Sequence, residues 1–463
     1  MRAQHYDAVF LGDRTPTLLG AAFLARRGFR VLVLGEETLG ERSGSPAFLL
    51  PLESPPIRAL FEALALLPTI RRRALESEWA ASMRFHEKCL DLPRDPAARL
   101  AVLDREFPES ALKLSRFERS ARELVTAFDA LLREGHGPFA TGLLARRAHR
   151  SFERRRLSES FTEELDPIAP LRSQGALLEA LSVLISLHTG LPPRSLPPAA
   201  ETILYMRLLE GSIRLSGGEA WLRDQLIEAL RDHGGAIERK RPVGEILLKK
   251  NRVDGIRFGD GRDEIGASMI IAGLREARLN RLLGEPRRAA TEANEQQTLA
   301  STLVRIPERA LPVGLGAHLY FKPKSDAARG LAFYLERLER ETVGGREYQL
   351  TAISEEAPIS RMHLEAAFEE LFPLSAEALD FESPRLSPAP RSSDDESAHR
   401  SIFELSALPI DQAARGLFLA GPDNLPELGT EGEFLAIAAT CRRALQSTLG
   451  RSHARFHPLR SLD

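Results

Sequence analysis

Apolar residues along this chain fall either in short unbroken runs or at three- and four-residue spacing, and the N-terminal stretch shows both in turn. Residues 6–11, YDAVFL, form a run of the length expected for a buried parallel strand. GDRTPTLLG follows, and beyond it Leu18, Leu19, Ala22, Phe23 and Ala25 make one face of a helix. Arg26 and Arg27 suit the negative end of that helix, and Gly28 is placed to end it. RVLVLG at 30–35 is a second buried strand. Strand, tight turn, helix, glycine and strand within about thirty residues predict a βαβ unit, in which a right-handed crossover makes the two strands parallel.

Residues 55–207 are helical in pattern, with runs such as IRALFEALALL and FERSARELVTAFDALL, and predict an inserted helical domain. GGEAWLRDQLIEALRDHGG from 217 is a helix closed by glycines. After it, AIERKRPVGEILLKKNRVDGIRFGDG predicts strands joined by hairpin turns at NRVDG and GDG, and ASMIIAG a further buried strand. Residues 290–382 mix strand-like and helical segments without a sharp motif. Residues 383–400, rich in Pro, Ser and charge, predict an exposed loop. The chain then returns to a strand, a loop and a long helix in LFLAGPDNLPELGTEGEFLAIAATCRRAL.

Composition narrows the function classes. With 463 residues, 43% of them hydrophobic, the chain can bury a full core in two or more domains. Sixty-three basic residues against 65 acidic ones leave no global field to recruit nucleic acid. Cys89 and Cys441 are the two cysteines, far apart and without CxxC spacing, which argues against a disulfide framework or a zinc site and fits a reducing cytoplasm. His5 and Asp7 interrupt the apolar core that a secretion signal would need. The longest apolar run, 176–191, is broken by Glu179 and His188 and falls short of the ~20 residues of a membrane span. GxSxG, HExxH and Walker-type loops do not occur, which argues against hydrolase and triphosphatase chemistry.

Three blocks, in order, carry a resemblance: YDAVFLG with LLGAAFLARRGFRVLVLG, LSGGEAWLRDQLIEALRDHGGAIERKRPVGEILLKKNRVDGIRFGDG, and LFLAGPDNLPELGTEGEFLAIAATCRRAL. The chain resembles the phytoene desaturase-like family within the flavin-containing amine oxidase class. That resemblance implies an α/β fold: a Rossmann-like FAD/NAD(P)-binding domain from 1–55, 208–290 and 401–463, interleaved with a partly helical substrate domain from 56–207 and 291–400. It also implies FAD as cofactor, desaturation or isomerisation of a lipophilic, polyprenoid-like molecule, and Val243 at the adenine end of the flavin. The flavin does the hydride work in such chemistry and the protein positions it.

The dinucleotide fingerprint uses its first glycine for a tight turn, its second to admit the pyrophosphate and its third for close helix packing. Those positions here are Gly12, Arg14 and Thr17, and Pro16 removes one helix N-terminal amide. The ribose-binding acid of the family falls on Gly35, with Glu36 one residue late. After Gly421, where the family commonly has an acid, stand Pro422 and then Asp423. Arg14 either crowds the diphosphate position or swings out to pair with the phosphates. Two functions stay open: an FAD-dependent oxidoreductase with weakly held flavin, and a flavin-free pseudoenzyme or lipid-binding chaperone partnering itself or an intact paralogue. His188 and His318 read as hydrogen-bonded core or surface residues. Arg146, Arg147, Arg150, Arg154, Arg155 and Arg156 read as a solvated face, with peripheral contact to anionic lipid at the inner side of the membrane as the alternative.

Overall fold

A computed structural model describes residues 4–35, 48–75, 79–85, 88–135, 137–139, 175–191, 196–239, 241–259, 261, 263–284, 298–307, 318–323, 331–342, 345–354, 359–373, 379–382, 385–388, 399–400 and 405–453. The first elements are β1 (His5–Leu11), α1 (Thr15–Arg26) and β2 (Val31–Leu34), with β1 and β2 parallel. Gly28 follows α1 at φ +88°, a left-handed value that glycine adopts without strain. Next come α2 (Pro55–Ala63), α3 (Leu67–Arg73), β3 (Trp79–Phe85), β4 (Lys88–Pro93), α4 (Pro96–Glu106), α5 (Ala111–Arg133), α6 (Gly175–Thr189) and α7 (Pro198–Met206). A π-helical turn, Arg207–Gly211, leads out of α7 towards α8 (Gly218–Asp232). The middle block then supplies β5 (Ala236–Glu238), β6 (Val243–Lys249), β7 (Arg252–Phe258), β8 (Glu264–Ala272) and α9 (Glu276–Leu282).

The remaining elements are β9 (Thr298–Pro307), β10 (His318–Lys322), β11 (Leu331–Thr342), β12 (Gly345–Ser354), α10 (Arg361–Leu371), β13 (Asp380–Phe381), β14 (Arg385–Pro388), β15 (His399–Arg400), β16 (Ser406–Ala407), β17 (Leu417–Leu419) and α11 (Gly429–His453). A seven-stranded sheet runs β5-β2-β1-β8-β7-β6. Its strand β8 pairs with β7 near its start and with β17 near its end. An eight-stranded sheet runs β13-β9-β12-β11-β10-β3-β4, with β14 also on β9. The first, parallel through β5, β2, β1, β8 and β17, is the Rossmann-like sheet of this α/β fold, while the second is antiparallel except where β3 meets β10.

Two segments differ from the sequence pattern. The block 55–207 contains the β3–β4 hairpin as well as helices, because β3 lies parallel to β10, a partner more than two hundred residues on in the chain. Local periodicity carries no trace of such a pairing. Within 383–400, Arg385–Pro388 is strand beside β9 and His399–Arg400 is strand beside β16, rather than loop.

Helix α1 is buried from Thr15 to Ala25, between the seven-stranded sheet, α8 and α11. Gly20 is what lets α11 approach: a Cβ there would stand 2.6 Å from Ile437 Cγ2 and 3.2 Å from the Cys441 sulfur. Burial pushes the Cys441 thiol up to about 12, so it packs as an apolar group, whereas Cys89 is exposed. Buried ions tie the helical insertion to the rest. Arg99, fully enclosed, donates to Glu118 (2.8 Å), to the Pro93 carbonyl (3.1 Å) and to Glu210 on the π-turn. Arg207 pairs with Asp129 on α5 and, at 3.0 Å, with Glu431 on α11. Among the described residues no helix is long and apolar enough to cross a membrane.

Gly421, just past β17, sits so close to the chain after β8 that a Cβ would overlap the Leu274 carbonyl oxygen, a backbone atom that cannot rotate away. Gly421→Ala is therefore expected to cost roughly 3 kcal/mol by forcing the two segments apart, measured as a shift of the urea midpoint at unchanged slope.

Candidate functional site

Gly12 leaves β1 at φ +95°, its N–H donating to the Leu34 carbonyl (2.8 Å), with the Gly273 carbonyl 3.1 Å from where a Cβ would lie. The turn glycine thus has its expected backbone role. Arg14 is the N-cap of α1 but makes no capping bond. Its guanidinium reaches α11 instead, Nε donating to Glu433 Oε2 (3.0 Å) and Nη2 to Oε1 (2.7 Å), a bidentate pair almost closed to solvent. Burial raises the Glu433 pKa, with Arg14 opposing and Glu219 adding to the rise. Thr15 donates its hydroxyl to Glu219 Oε1 on α8 (2.7 Å). The positive end of α1 therefore faces carboxylates from α8 and α11.

Asp13, between Gly12 and Arg14, is buried and accepts from Arg223 (3.0 Å) and from Arg239 Nε (3.0 Å) and Nη2 (2.8 Å). These ions lie at the end of β2: a Cβ on Gly35 would stand 2.9 Å from Arg239 Cγ and 3.3 Å from Asp13 Oδ2. Glu36 and the arginines 146–156 lie outside the described residues. Thr17 packs its hydroxyl into the space that a side chain on Gly273 would need, so the bulk added at 17 is matched by a side chain missing at 273.

The structure gathers Gly12, Arg14 and Thr17 at the mouth of α1. Gly421 joins them through the shared wall Gly273–Leu274 and donates its N–H to Asn424 Oδ1 (2.7 Å). Asp423 turns to α9, where Oδ2 accepts the Glu276 N–H (2.7 Å). Val243 stands apart at the head of β6, buried among apolar neighbours. Sequence reasoning missed Asp13, Glu219, Arg223, Arg239 and Glu433. Nothing local marks a residue whose partner is on another element.

A second polar group lies on the inner face of the eight-stranded sheet. Tyr320 on β10 faces Tyr334 on β11 in register, and their rings and that of His188 on α6 stand within 5.8 Å of one another. Arg214 donates from Nη2 to the Tyr320 oxygen (3.4 Å), from Nε to Tyr334 (3.3 Å) and from Nη1 to the Ala80 carbonyl (3.0 Å). The Tyr320 hydroxyl also shares a 2.7 Å hydrogen bond with His188 Nε2, its direction set by the histidine tautomer. His318, across the β10–β11 ladder from Glu336, is buried and its Nε2 has no partner among the described residues. Both histidines are buried groups of this interface rather than surface residues. Burial pushes His318 down to about 2, with Arg214 and Arg94 adding, and pushes Glu336 up to about 7, with Arg214 opposing and Glu219 adding. Among the described residues no His, Cys, Asp and Glu cluster has metal-binding geometry.

Neither a protein-family model nor a curated protein sequence matches the chain. Solved structures do. An oxidoreductase from Methanosarcina mazei aligns at TM-score 0.54 and 15% identity, over 94% of this chain and 98% of that one. A Pyrococcus furiosus protein aligns at TM-score 0.55 and 17% identity, over 95% and 96%. The p-nitrophenol 4-monooxygenase PnpA of Pseudomonas putida gives 0.48 and 13%, over 97% and 82%. At these identities the first two share the fold of the chain.

Two predictions follow from the geometry. Arg14→Ala leaves Glu433 buried without its partner and is expected to cost about 3 kcal/mol, while the same change in a Glu433→Gln background costs much less. A double-mutant cycle by urea unfolding reads the coupling, and additivity would reject the pair as an energetic unit. For Glu336, folding raises the pKa from 4.5 to about 7, so its stabilisation is complete at acid pH and is lost as pH rises through 7. His318 runs the other way, stabilising above its ordinary 6.5 and losing that contribution as pH falls. Glu336→Gln should gain on the parent protein by at most about 1.4 kcal/mol per pH unit across the Glu336 window, seen as a pH-dependent difference between their unfolding free energies.

Proposed function

We propose that this chain keeps a flavoprotein-type fold without the flavin and works as a binding protein, a pseudoenzyme of the oxidoreductase architecture. The observation that carries this reading is the Arg14–Glu433 pair. A dinucleotide diphosphate needs close backbone approach at the second fingerprint position and an unopposed positive helix end. At that position this chain has a long side chain folded onto α11, and at that helix end it has Glu433 and Glu219. Asp13 with Arg223 and Arg239 likewise fills the space before Gly35, where the family's ribose-binding acid would stand. Placing phosphates there would set like charges beside buried carboxylates or strand Glu433 without its cation, each a loss of several kcal/mol, of order 3–5. The residues present do not fit the cofactor that the family resemblance implies.

One observation favours a second reading, an FAD-dependent oxidoreductase: the fold is shared over nearly the full length with the Methanosarcina oxidoreductase. Under that reading Arg14 leaves Glu433 and pairs with the phosphates. The inner face of the second sheet, with Arg214, His188, His318 and Glu336, is polar, which speaks for a ligand with charged or hydrogen-bonding groups over a wholly lipophilic polyene.

The visible spectrum of the purified protein, followed by titration with FAD, tests the proposal. A colourless protein with no saturable FAD binding is expected. Recovery with one tightly bound FAD per chain would overturn the flavin-free reading and restore the oxidoreductase.

A further inference from the structure

Hydrogen-bonding capacity on the inner face of the eight-stranded sheet exceeds what its neighbours take up. Arg214 has five N–H groups, of which Tyr334, Tyr320 and Ala80 accept three, so among the described residues one N–H on each terminal nitrogen has no acceptor. The Tyr334 oxygen accepts from Arg214, while its own O–H finds no acceptor among the described residues, and the side chain is fully buried. His318 adds a buried ring nitrogen without a partner among the described residues. Tyr334 and His318 lie diagonally across the β10–β11 ladder, on the face where Arg214 lies. Buried donors left unmade cost about 1–3 kcal/mol each, and native proteins give such groups a partner.

Charge points the same way. Arg94, which donates to the Ser212 carbonyl (3.1 Å), and Arg214 are both cationic and near enough to depress His318. Glu336 lies across from His318 with Glu219 of α8 nearby, and among the described residues Glu336 makes no hydrogen bond to either arginine. The guanidinium fork of Arg214 matches a planar pair of oxygens.

We propose that this face is a binding site for a small organic carboxylate, gripped by the Arg214 guanidinium, the Tyr334 hydroxyl and the Nε2–H tautomer of His318. The proposal rests on the reading of the chain as a binding protein and names the ligand class of that protein. Glu336 sets the pH range. The groups that face it are Arg214, Glu219 on α8 and His318 on β10, and Gln349 on β12 is its neutral cross-strand neighbour. As pH falls through about 7 Glu336 loses its charge, Arg214 is left without a nearby anion, and the carboxylate binds more tightly.

The test is calorimetric titration of the full chain with acetate and propionate at constant ionic strength, with acetamide and inorganic phosphate as comparators. The carboxylates are expected to bind and acetamide and phosphate to leave no saturable signal. Tyr334→Phe should weaken binding roughly tenfold, the loss of one hydrogen bond to a charged group, and Glu336→Gln should remove the pH dependence. Arg214→Lys should abolish binding. Where circular dichroism shows that Arg214→Lys does not fold, Tyr334→Phe decides. A folded parent protein that ignores acetate and propionate, carboxylate binding unchanged in Tyr334→Phe, or phosphate bound in preference would each overturn the site. Flavin absorbance of the same sample keeps the two proposals apart. A yellow protein that binds carboxylate overturns the flavin-free reading alone, and a colourless protein that does not bind it overturns the site alone.

Discussion

Arg14 and Glu433 hold each other out of water where the first helix of the chain meets the last. An ion pair in that position stands or falls with its geometry, since each charge is tolerable only while the other is in place. Much of the surrounding structure serves to keep it there. Gly20 brings α11 against α1, Thr15 anchors the start of α1 to Glu219 on α8, and Asp13 draws Arg223 and Arg239 over the end of β2. Three helices and a strand end are joined by hydrogen bonds and ion pairs around the start of α1.

The same device recurs deeper in the chain. Arg207, at the π-turn below α7, reaches both α5 and the first turn of α11 through Asp129 and Glu431, and Arg99 gathers Glu118 and Glu210 behind it. The start of α11 therefore presents carboxylates on two sides, Glu431 to the helical insertion and Glu433, two residues on, to the loop after β1. Both carboxyls are raised by burial and held down by their arginines. Glu431, in the first turn, also suits the positive end of that helix, so it meets a local and a long-range demand together.

What was legible in the sequence was what short-range periodicity encodes. The β1–α1–β2 unit, the hairpin turn with Lys250 and Asn251 at positive φ, and the long final helix all declare themselves within a few dozen residues. The β3–β4 hairpin did not, because β3 gains its identity from lying beside β10. The site divides in the same way. Position 14 could be read as an arginine where a glycine belongs, but its partner is 419 residues away, and neither composition nor spacing links the two. The tyrosine, histidine and arginine group on the second sheet was still less visible, since each member is an ordinary core residue until β10, β11, α6 and the segment before α8 bring them together.

Thr17 and Gly273 carry a consequence for how such a chain can change. The hydroxyl at 17 occupies space left by the missing side chain at 273. A glycine at 17 alone would leave a gap beside a backbone without its packing partner, and a side chain added at 273 alone would collide with the threonine. Each single step away from the present pairing is uphill, while the two together are close to level in packed volume. The loop is thus ratcheted: a glycine-rich turn lies within reach of this fold but not within reach of one substitution.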